Sequence, residues 1–348
     1  MQGRRGKVLL VVVGTIAAVM LVEVGLRLQL SAAEFSRMSG RHAPPQSSRW
    51  MEHPFLPYAG RPNTNRTMHN DREPRVENVV TNSYGFRSHE FPAGKQPGDY
   101  VVLCLGGSTT FGYAATNDQT WPELLESKLG ERYPDRNIIV LNLGVDMATS
   151  VISLVNLALI GAHLDPDLVI VYHGYNDLAA LGATDYRPDH SHFYVDLDIS
   201  RIAGYQHTFA PWLESSYALS FVTHRLDMVT RIGDLSSHVT RNRLPHDDPL
   251  HGIDETLRTF ETMHAIVRGA GGRILFSTFQ FRDGDSTGLN DRFRSFYESR
   301  GFLYVDQDRL IPDHDPTVNV DPCHFTQKGR DLVANNYFDT IVRENLVR

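Results

Sequence analysis

Cysteine is scarce in this sequence, since only Cys104 and Cys323 occur among its 348 residues. Two cysteines are too few for a disulfide framework or a cysteine-rich zinc module. The chain also has no long basic stripe, and its net charge is −7, so we predict that it does not bind nucleic acid. With 41% hydrophobic residues, the chain is nevertheless long and apolar enough to bury a large core.

The N-terminal segment begins with basic residues and continues as an apolar run. Three basic residues within the first seven precede the uncharged stretch 8–22, whose length fits the core of a signal peptide. The apolar pattern continues beyond it and is broken only by Glu23 and Arg27, whose spacing of four allows pairing on one helix face. We therefore predict an uncleaved transmembrane anchor at 1–31 rather than a cleaved signal segment. The N-terminal positive charges predict a cytoplasmic N terminus, with the rest of the chain on the outer side of the membrane.

The remainder of the chain divides into an arm and a main domain. Segment 32–97 has few periodic apolar residues, and we predict an irregular arm that packs on the main domain. Over 98–348, strands alternate with helices, which predicts an α/β fold, a three-layer α/β/α sandwich around a five-stranded parallel sheet. The five strands are predicted at 100–105, 137–143, 167–172, 273–279 and 302–305.

The alternation of strands and helices stops at about 179–250. This stretch is too long for an ordinary loop, so we predict an insertion near the functional site. It is rich in histidine and aromatic residues, but it lacks the spacing of carboxylates and histidines that is typical of a metal site. We therefore predict no metal and no cofactor. An aromatic wall or lid over a substrate and ordinary packing both remain open for this insertion.

Residues suited to chemistry follow the strands. Ser108 comes after the first strand and a pair of glycines, Gly144 after the second strand and Asn176 after the third. The carboxyl ends of parallel strands share one edge of a sheet, so we expect these residues to meet there. Asp321 and His324 lie three residues apart before the last predicted helix, which is close enough for the carboxylate to reach the imidazole.

These residue types suit nucleophilic catalysis. A serine hydroxyl is a weak nucleophile until a base accepts its proton. His324 is the candidate base for Ser108, and Asp321 is the candidate for orienting the imidazole and stabilising its charged form. The candidate oxyanion donors are the backbone N–H groups of Ser108 and Gly144 and the side-chain amide of Asn176. Each residue alone also fits a helix cap, a strand end or a turn, but the joint pattern favours catalysis.

The four motifs resemble the sequence blocks of the SGNH (GDSL-type) hydrolases. The blocks are Gly-Gly-Ser-Thr at 106–109, Gly144, Gly-Tyr-Asn-Asp at 174–177 and Asp-Pro-Cys-His at 321–324. The resemblance covers about 99–347 and implies a flavodoxin-like α/β/α sandwich with acyl-ester chemistry. Gly-Gly-Ser-Thr stands where Gly-Asp-Ser-Leu is usual, and this variant, with the turn at 82–87, resembles bacterial, membrane-tethered members. The Gly-x-Ser-x-Gly elbow of α/β-hydrolases is not present around Ser108, because Thr110 occupies its last position.

The resemblance and the N-terminal segment together lead to one main hypothesis. We expect a serine esterase that cleaves ester-linked acyl groups, O-acetyl groups among them, from a glycan or lipid of the envelope. It would be held at the bacterial inner membrane, with the catalytic domain periplasmic or extracellular. One alternative is an O-acyltransferase, in which the same triad passes the acyl group to a sugar hydroxyl. Another is a tethered, non-catalytic glycan-binding module. The sequence does not indicate a protein partner.

Overall fold

The computed structural model describes residues 2–30, 50–51, 53–69, 76–196, 216–218 and 246–347. The chain forms two compact units. One consists of Met1–Glu52 with Val195–Arg243, and the other, here called the main unit, consists of His53–Tyr194 with Leu244–Arg348. All the candidate site residues belong to the main unit.

The first unit contains the helix α1 (Gln2–Gln29) and the short strand β1 (Trp50–Met51). Glu23 and Arg27 pair on α1 as predicted, and Nε of Arg27 donates to the Glu23 carboxylate at 2.6 Å. Glu23 and Arg27 are thus charged residues within the C-terminal part of this helix. In the part of the chain that the structure describes, no helix is both long enough and apolar enough to span a membrane. The transmembrane helix predicted at 1–31 is thus not supported.

The arm contains a hairpin that the sequence pattern does not predict. After the short strand β2 (Ala59–Gly60), β3 (Asn65–His69) pairs antiparallel with β4 (Val76–Val80). Asn65 lies opposite Val80 in the register of this pair. The arm predicted to be irregular therefore has regular structure in its middle.

The turn predicted at 82–87 is present. The side-chain oxygen of Asn82 accepts hydrogen bonds from the backbone N–H groups of Tyr84 and Phe86, both at 3.0 Å. Gly85 has a φ of +84°, and a Cβ at this position would collide with the carbonyl of Gly60. Glycine is required here for both reasons.

A five-stranded sheet forms the centre of the main unit. Its strands are β5 (Asp99–Gly106), β6 (Asn137–Asn142), β7 (Leu168–Tyr172), β8 (Arg273–Ser277) and β9 (Tyr304–Val305). They lie in the order β6-β5-β7-β8-β9, and every neighbouring pair is parallel. Residues 101–105 of β5 are fully buried, which shows that both faces of this central strand are covered. The prediction of an α/β fold with five parallel strands is confirmed.

Helices cover this sheet and join its strands. The structure describes α2 (Ser108–Phe111), α3 (Trp121–Arg132), α4 (Ser150–Leu159), α5 (Tyr175–Leu181), α6 (Ser191–Asp196), α7 (Ile253–Gly269), α8 (Leu289–Arg300), α9 (Gln307–Leu310) and α10 (Gln327–Arg343). Among them, α3 packs against α10, and α4 packs against α7. Strand β5 lies beside β6 and β7, so the segments that follow these three strands begin at one edge of the sheet.

Of the insertion predicted at 179–250, the structure describes 179–196, 216–218 and 246–250. The described part includes α6. The rest of the insertion, and with it the predicted wall or lid, lies outside the described residues and stays a prediction.

Candidate active site

Ser108 lies at the point where β5 turns into α2. This residue is 8% exposed and lies at the carboxyl edge of the sheet. A Cβ at Gly106 would collide with the hydroxyl of Thr110 and with the carbonyl of Tyr172, so only glycine allows this close turn. The serine hydroxyl is thereby placed just beyond the central strand, at the edge where ligands bind in α/β sheets.

His324 and Asp321 reach Ser108 from the loop before α10. Nε2 of His324 lies 2.7 Å from Oγ of Ser108, and Nδ1 lies 2.7 Å from Oδ2 of Asp321. A carboxylate accepts hydrogen bonds only, so Nδ1 carries the hydrogen and Nε2 is free to accept the serine proton. This is the arrangement that a base needs in order to activate a serine.

The turn around Asp321 holds its carboxylate in place. Oδ1 accepts the backbone N–H groups of Cys323 at 3.1 Å and His324 at 3.0 Å, while Oδ2 faces the imidazole. Burial raises the pKa of Asp321, but the hydrogen bond and charge of His324, together with the two N–H groups, lower that pKa well below its usual value. Asp321 is therefore ionised at neutral pH and able to stabilise an imidazolium.

Asn176 lies beside the nucleophile, as predicted. It belongs to the first turn of α5, and its Nδ2 donates to the carbonyl of Ala148 at 3.0 Å. A Cβ at Gly107 would lie 2.8 Å from Nδ2, which shows how closely the amide approaches the backbone before Ser108. A side-chain amide has two N–H donors, so one remains for an oxyanion.

Gly144 does not take the predicted position. Its backbone N–H donates to Oδ1 of Asn142 at 2.9 Å, so it is not directed at a substrate. A Cβ here would collide with the backbone of Phe111 and lie 2.7 Å from the carbonyl carbon of Thr110. Gly144 is thus needed for close packing against α2, and the structure does not support it as an oxyanion donor.

A buried network supports the amide of Asn176. Its neighbour Asp177 is fully buried, and Oδ1 accepts from the backbone N–H of Ser150 at 2.9 Å and from its hydroxyl at 2.6 Å. Oδ2 lies 3.3 Å from Nδ1 of His173. Burial raises the pKa of Asp177, but its contacts with His173, His190 and Ser150 lower it overall. Asp177 therefore joins the beginnings of α4 and α5 as an ionised group.

A second serine between glycines lies elsewhere in the chain. Residues 284–288 read Gly-Asp-Ser-Thr-Gly. Asp285 accepts the backbone N–H groups of Thr287 at 2.9 Å and Asn290 at 2.7 Å. Ser286 therefore lies in the turn that begins α8, and not at the carboxyl end of a strand.

Two groups in the described part of the chain bring three metal-ligand atoms within 4.8 Å of one another. The groups are Asp321 with Cys323 and His324, and His89 with Glu123 and Glu126. The first belongs to the triad. In the second, hydrogen bonds to the two glutamates raise the pKa of His89 to about 10, despite the opposite effect of burial. Nε2 of His89 lies 3.1 Å from a carboxylate oxygen of each glutamate, so we interpret the second group as an ion-paired triplet.

A small cleft opens beside Ser108. It is lined by Gly107, Ser108, Thr109, Tyr172, His173, Gly174, Tyr175, Asn176, Phe279 and Cys323. Its volume of about 10 Å³ is close to the room that one water molecule requires. The cleft brings together the nucleophile, the candidate donor amide and apolar rings.

Three solved structures resemble the fold of this chain. An acetylxylan esterase from Geobacillus stearothermophilus is 14% identical over 70% of this chain and 94% of its own, with a TM-score of 0.43. TesA is 13% identical over 71% of this chain and 99% of its own, with a TM-score of 0.45. An α/β-hydrolase enzyme from the metagenome of Lake Arreo, Spain, is 19% identical over 69% of this chain and 94% of its own, with a TM-score of 0.42.

A search of the curated proteins finds no match. The model of the GDSL-like lipase/acylhydrolase family matches residues 104–332. This match begins in β5, contains Ser108 and ends within α10, so it spans both parts of the candidate triad. The chain therefore belongs to the GDSL-like lipase/acylhydrolase family and is an ester hydrolase of the SGNH type.

Proposed function

We propose that this protein is a serine esterase that removes short acyl groups, O-acetyl groups above all, from a glycan or lipid of the bacterial envelope. The observation that carries the proposal is the chain of two 2.7 Å contacts from Asp321 through His324 to Ser108. Those distances are within the range needed for proton transfer between a nucleophile and its base.

The reaction proceeds in two steps. In the first, Oγ of Ser108 attacks the ester carbonyl while its proton passes to Nε2 of His324, and the amide of Asn176 stabilises the oxyanion. The bond to the alcohol then breaks, and His324 returns the proton to the departing oxygen. In the second, a water molecule gives a proton to His324 and attacks the acyl-enzyme, which releases the acid and restores Ser108.

The lining of the cleft beside Ser108 suits a short apolar acyl group. Phe279 and Tyr172 stack at 5.0 Å between ring centres and line this space. These rings offer an apolar surface for the methyl group of an acetyl ester.

A series of p-nitrophenyl esters tests the proposal. We expect the acetate to be hydrolysed with a higher kcat/KM than the butyrate and octanoate, and Ser108→Ala to abolish hydrolysis and labelling by a fluorophosphonate. Ser286→Ala is the matched control, because this serine lies in the turn before α8. Full activity of Ser108→Ala would refute the mechanism, and a preference for octanoate would refute the short acyl group.

Acyl transfer is the alternative outcome of the same acyl-enzyme. Tyr175 is 38% exposed at the cleft, and its ring lies 6.2 Å from that of Phe281. Such aromatic surfaces suit a sugar ring, which would serve as the substrate to be deacylated or as the acceptor. Product analysis with an oligosaccharide acceptor separates the two outcomes, since release of free acid alone would contradict transfer.

We also propose that the protein works on the outer side of the inner membrane as a membrane-tethered member of its family. Support comes only from the basic and apolar pattern at 1–31. The test is protease treatment of spheroplasts that produce the full chain. Degradation of the main unit without lysis is the expected result, and protection until lysis would contradict the proposed location.

A further inference from the structure

The turn at 82–87 ends in an arginine that is 1% exposed. All three nitrogens of Arg87 donate hydrogen bonds. Nε donates to Oδ1 of Asn117 at 2.8 Å. Nη1 donates to the backbone carbonyls of Gly112 at 2.6 Å and Phe111 at 3.3 Å. Nη2 donates to the backbone carbonyls of Ala115 at 2.5 Å and Asn78 at 3.3 Å. An arginine buried in this way is costly unless its donors are used, so this set of contacts requires an explanation.

Three of the acceptors lie where the chain leaves α2, the helix that begins with Ser108: the carbonyl of Phe111 ends this helix, and those of Gly112 and Ala115 belong to the loop after it. This loop bends through two left-handed residues, Gly112 with a φ of +93° and Ala114 with a φ of +60°. A residue with a side chain is strained in that region and keeps the conformation only where its surroundings impose it. At its start, the loop is tied to the serine, because the N–H groups of Gly112 and Tyr113 both donate to the Ser108 carbonyl, at 2.9 and 3.0 Å.

The loop carries an aromatic ring onto the candidate base. The ring of Tyr113 lies 4.2 Å from the imidazole of His324, centre to centre, with 31° between their planes. Ring packing of this kind limits the orientations that an imidazole can adopt. Because Nε2 has to stay 2.7 Å from Oγ of Ser108, the position of Tyr113 affects the geometry of proton transfer.

We propose that Arg87 is a positioning residue for the hydrolytic reaction. Its guanidinium fixes the loop 111–115, and the loop holds the ring of Tyr113 against His324, so that Nε2 faces Ser108. Five donors in a rigid plane suit this task, whereas lysine offers a single ammonium group without that geometry. The proposal rests on the proposed function, since it assigns His324 the role of base.

A purely structural role predicts a different outcome. If Arg87 only stabilised the fold, its substitution would lower the melting temperature and leave kcat unchanged at temperatures where the enzyme is folded. Arg294→Lys is a matched control, because Arg294 binds Asp306 and Asp308 through Nη1, both at 2.9 Å, and lies in α8. We expect this control to lose stability and to keep its kcat.

Kinetics with p-nitrophenyl acetate provide the first test. We expect Arg87→Lys and Tyr113→Ala each to lower kcat by up to about 100-fold, the loss typical of a misplacement of about 1 Å, with KM changed less than about twofold. Tyr113→Phe retains the ring and should retain kcat. The double variant Arg87→Lys/Tyr113→Ala should be no slower than the slower single variant, because both changes act through one imidazole. A kcat for Arg87→Lys within about twofold of the wild type, or additive losses in the double variant, would overturn the proposal.

A second measurement does not depend on activity. Because the two ring centres are 4.2 Å apart, we expect the ring of Tyr113 to shift the NMR signal of the Cε1–H group of His324, which is assigned by its loss in His324→Ala. Both Tyr113→Ala and Arg87→Lys should move this signal, and Arg294→Lys should not. An unmoved signal in Arg87→Lys overturns the positioning role. If Arg87→Lys does not fold, the same two measurements are made on Tyr113→Ala, and an unmoved signal with an unchanged kcat in that variant overturns the proposal. A wild type that resists the fluorophosphonate would count against the proposed function alone.

Discussion

Replacement of Asp321 by asparagine tests the triad most directly. In the wild type, Oδ1 accepts two backbone N–H groups and Oδ2 accepts Nδ1–H of His324. The variant has one oxygen, and the two N–H groups hold it at the Oδ1 position. The new NH₂ group then faces Nδ1, which must lose its hydrogen. Nε2 therefore becomes a donor to Ser108 and is no longer able to accept the serine proton.

The size of the effect follows from the tautomer. An asparagine in the corresponding place of a serine protease lowers kcat about 10⁴-fold through the wrong tautomer. We expect the same loss here for Asp321→Asn, which corresponds to about 5.4 kcal/mol in the activation free energy. The assay is burst and steady-state hydrolysis of p-nitrophenyl acetate, with the melting temperature measured in parallel. The control is Asp315→Asn. Asp315 lies in the same loop as Asp321, before α10, and its carboxylate pairs with Lys328. This variant should keep kcat within about twofold. A loss below tenfold in Asp321→Asn would refute this reasoning.

Three further predictions concern the surroundings of the triad. Asn176→Ala should lower kcat about 10²–10³-fold at nearly constant KM, because one oxyanion donor is lost; an unchanged kcat would exclude that role. His89 has its pKa raised from 6.5 to about 10 by Glu123 and Glu126, so its contribution to stability is complete below pH 6.5 and is lost as the pH rises towards 10. Urea unfolding should show that the free energy of unfolding falls with rising pH in the wild type and falls less in His89→Ala. Equal pH dependence in the two proteins would contradict the contribution of His89. Gly144→Ala should lower the free energy of unfolding by about 1–3 kcal/mol through overpacking, and an unchanged urea midpoint would contradict the close contact.

The central sheet could be predicted from the sequence, because its strands are short, mainly apolar runs, and the inner strands β5 and β7 are buried along almost their whole length. Once the strands are known to be parallel, their carboxyl ends must share an edge, so Ser108 and Asn176 were expected to meet. The hairpin β3–β4 could not be predicted in the same way. The sequence of β3, Asn-Arg-Thr-Met-His, has no clear alternation of apolar and polar residues, and the strand exists through its pairing with β4.

The details of the site depend on side chains that are distant in sequence. Gly144 follows a strand as an oxyanion donor should, but the orientation of the Asn142 side chain determines where its N–H points. Arg87 looks like an ordinary surface residue of the arm. Its burial depends on carbonyls more than 20 residues later, which face it only because Gly112 and Ala114 are left-handed. Local patterns contain neither of these facts.

The imidazole of His324 and the carboxylate of Asp321 lie on one short turn, while the hydroxyl of Ser108 lies at the end of a strand, 216 positions before His324. A small displacement of that turn would leave Asp321 and His324 bonded and separate both from Ser108. An inactive form of this enzyme can therefore keep an intact acid–base pair. Spectroscopic detection of that pair alone would say nothing about competence, which only the reactivity of the serine reports.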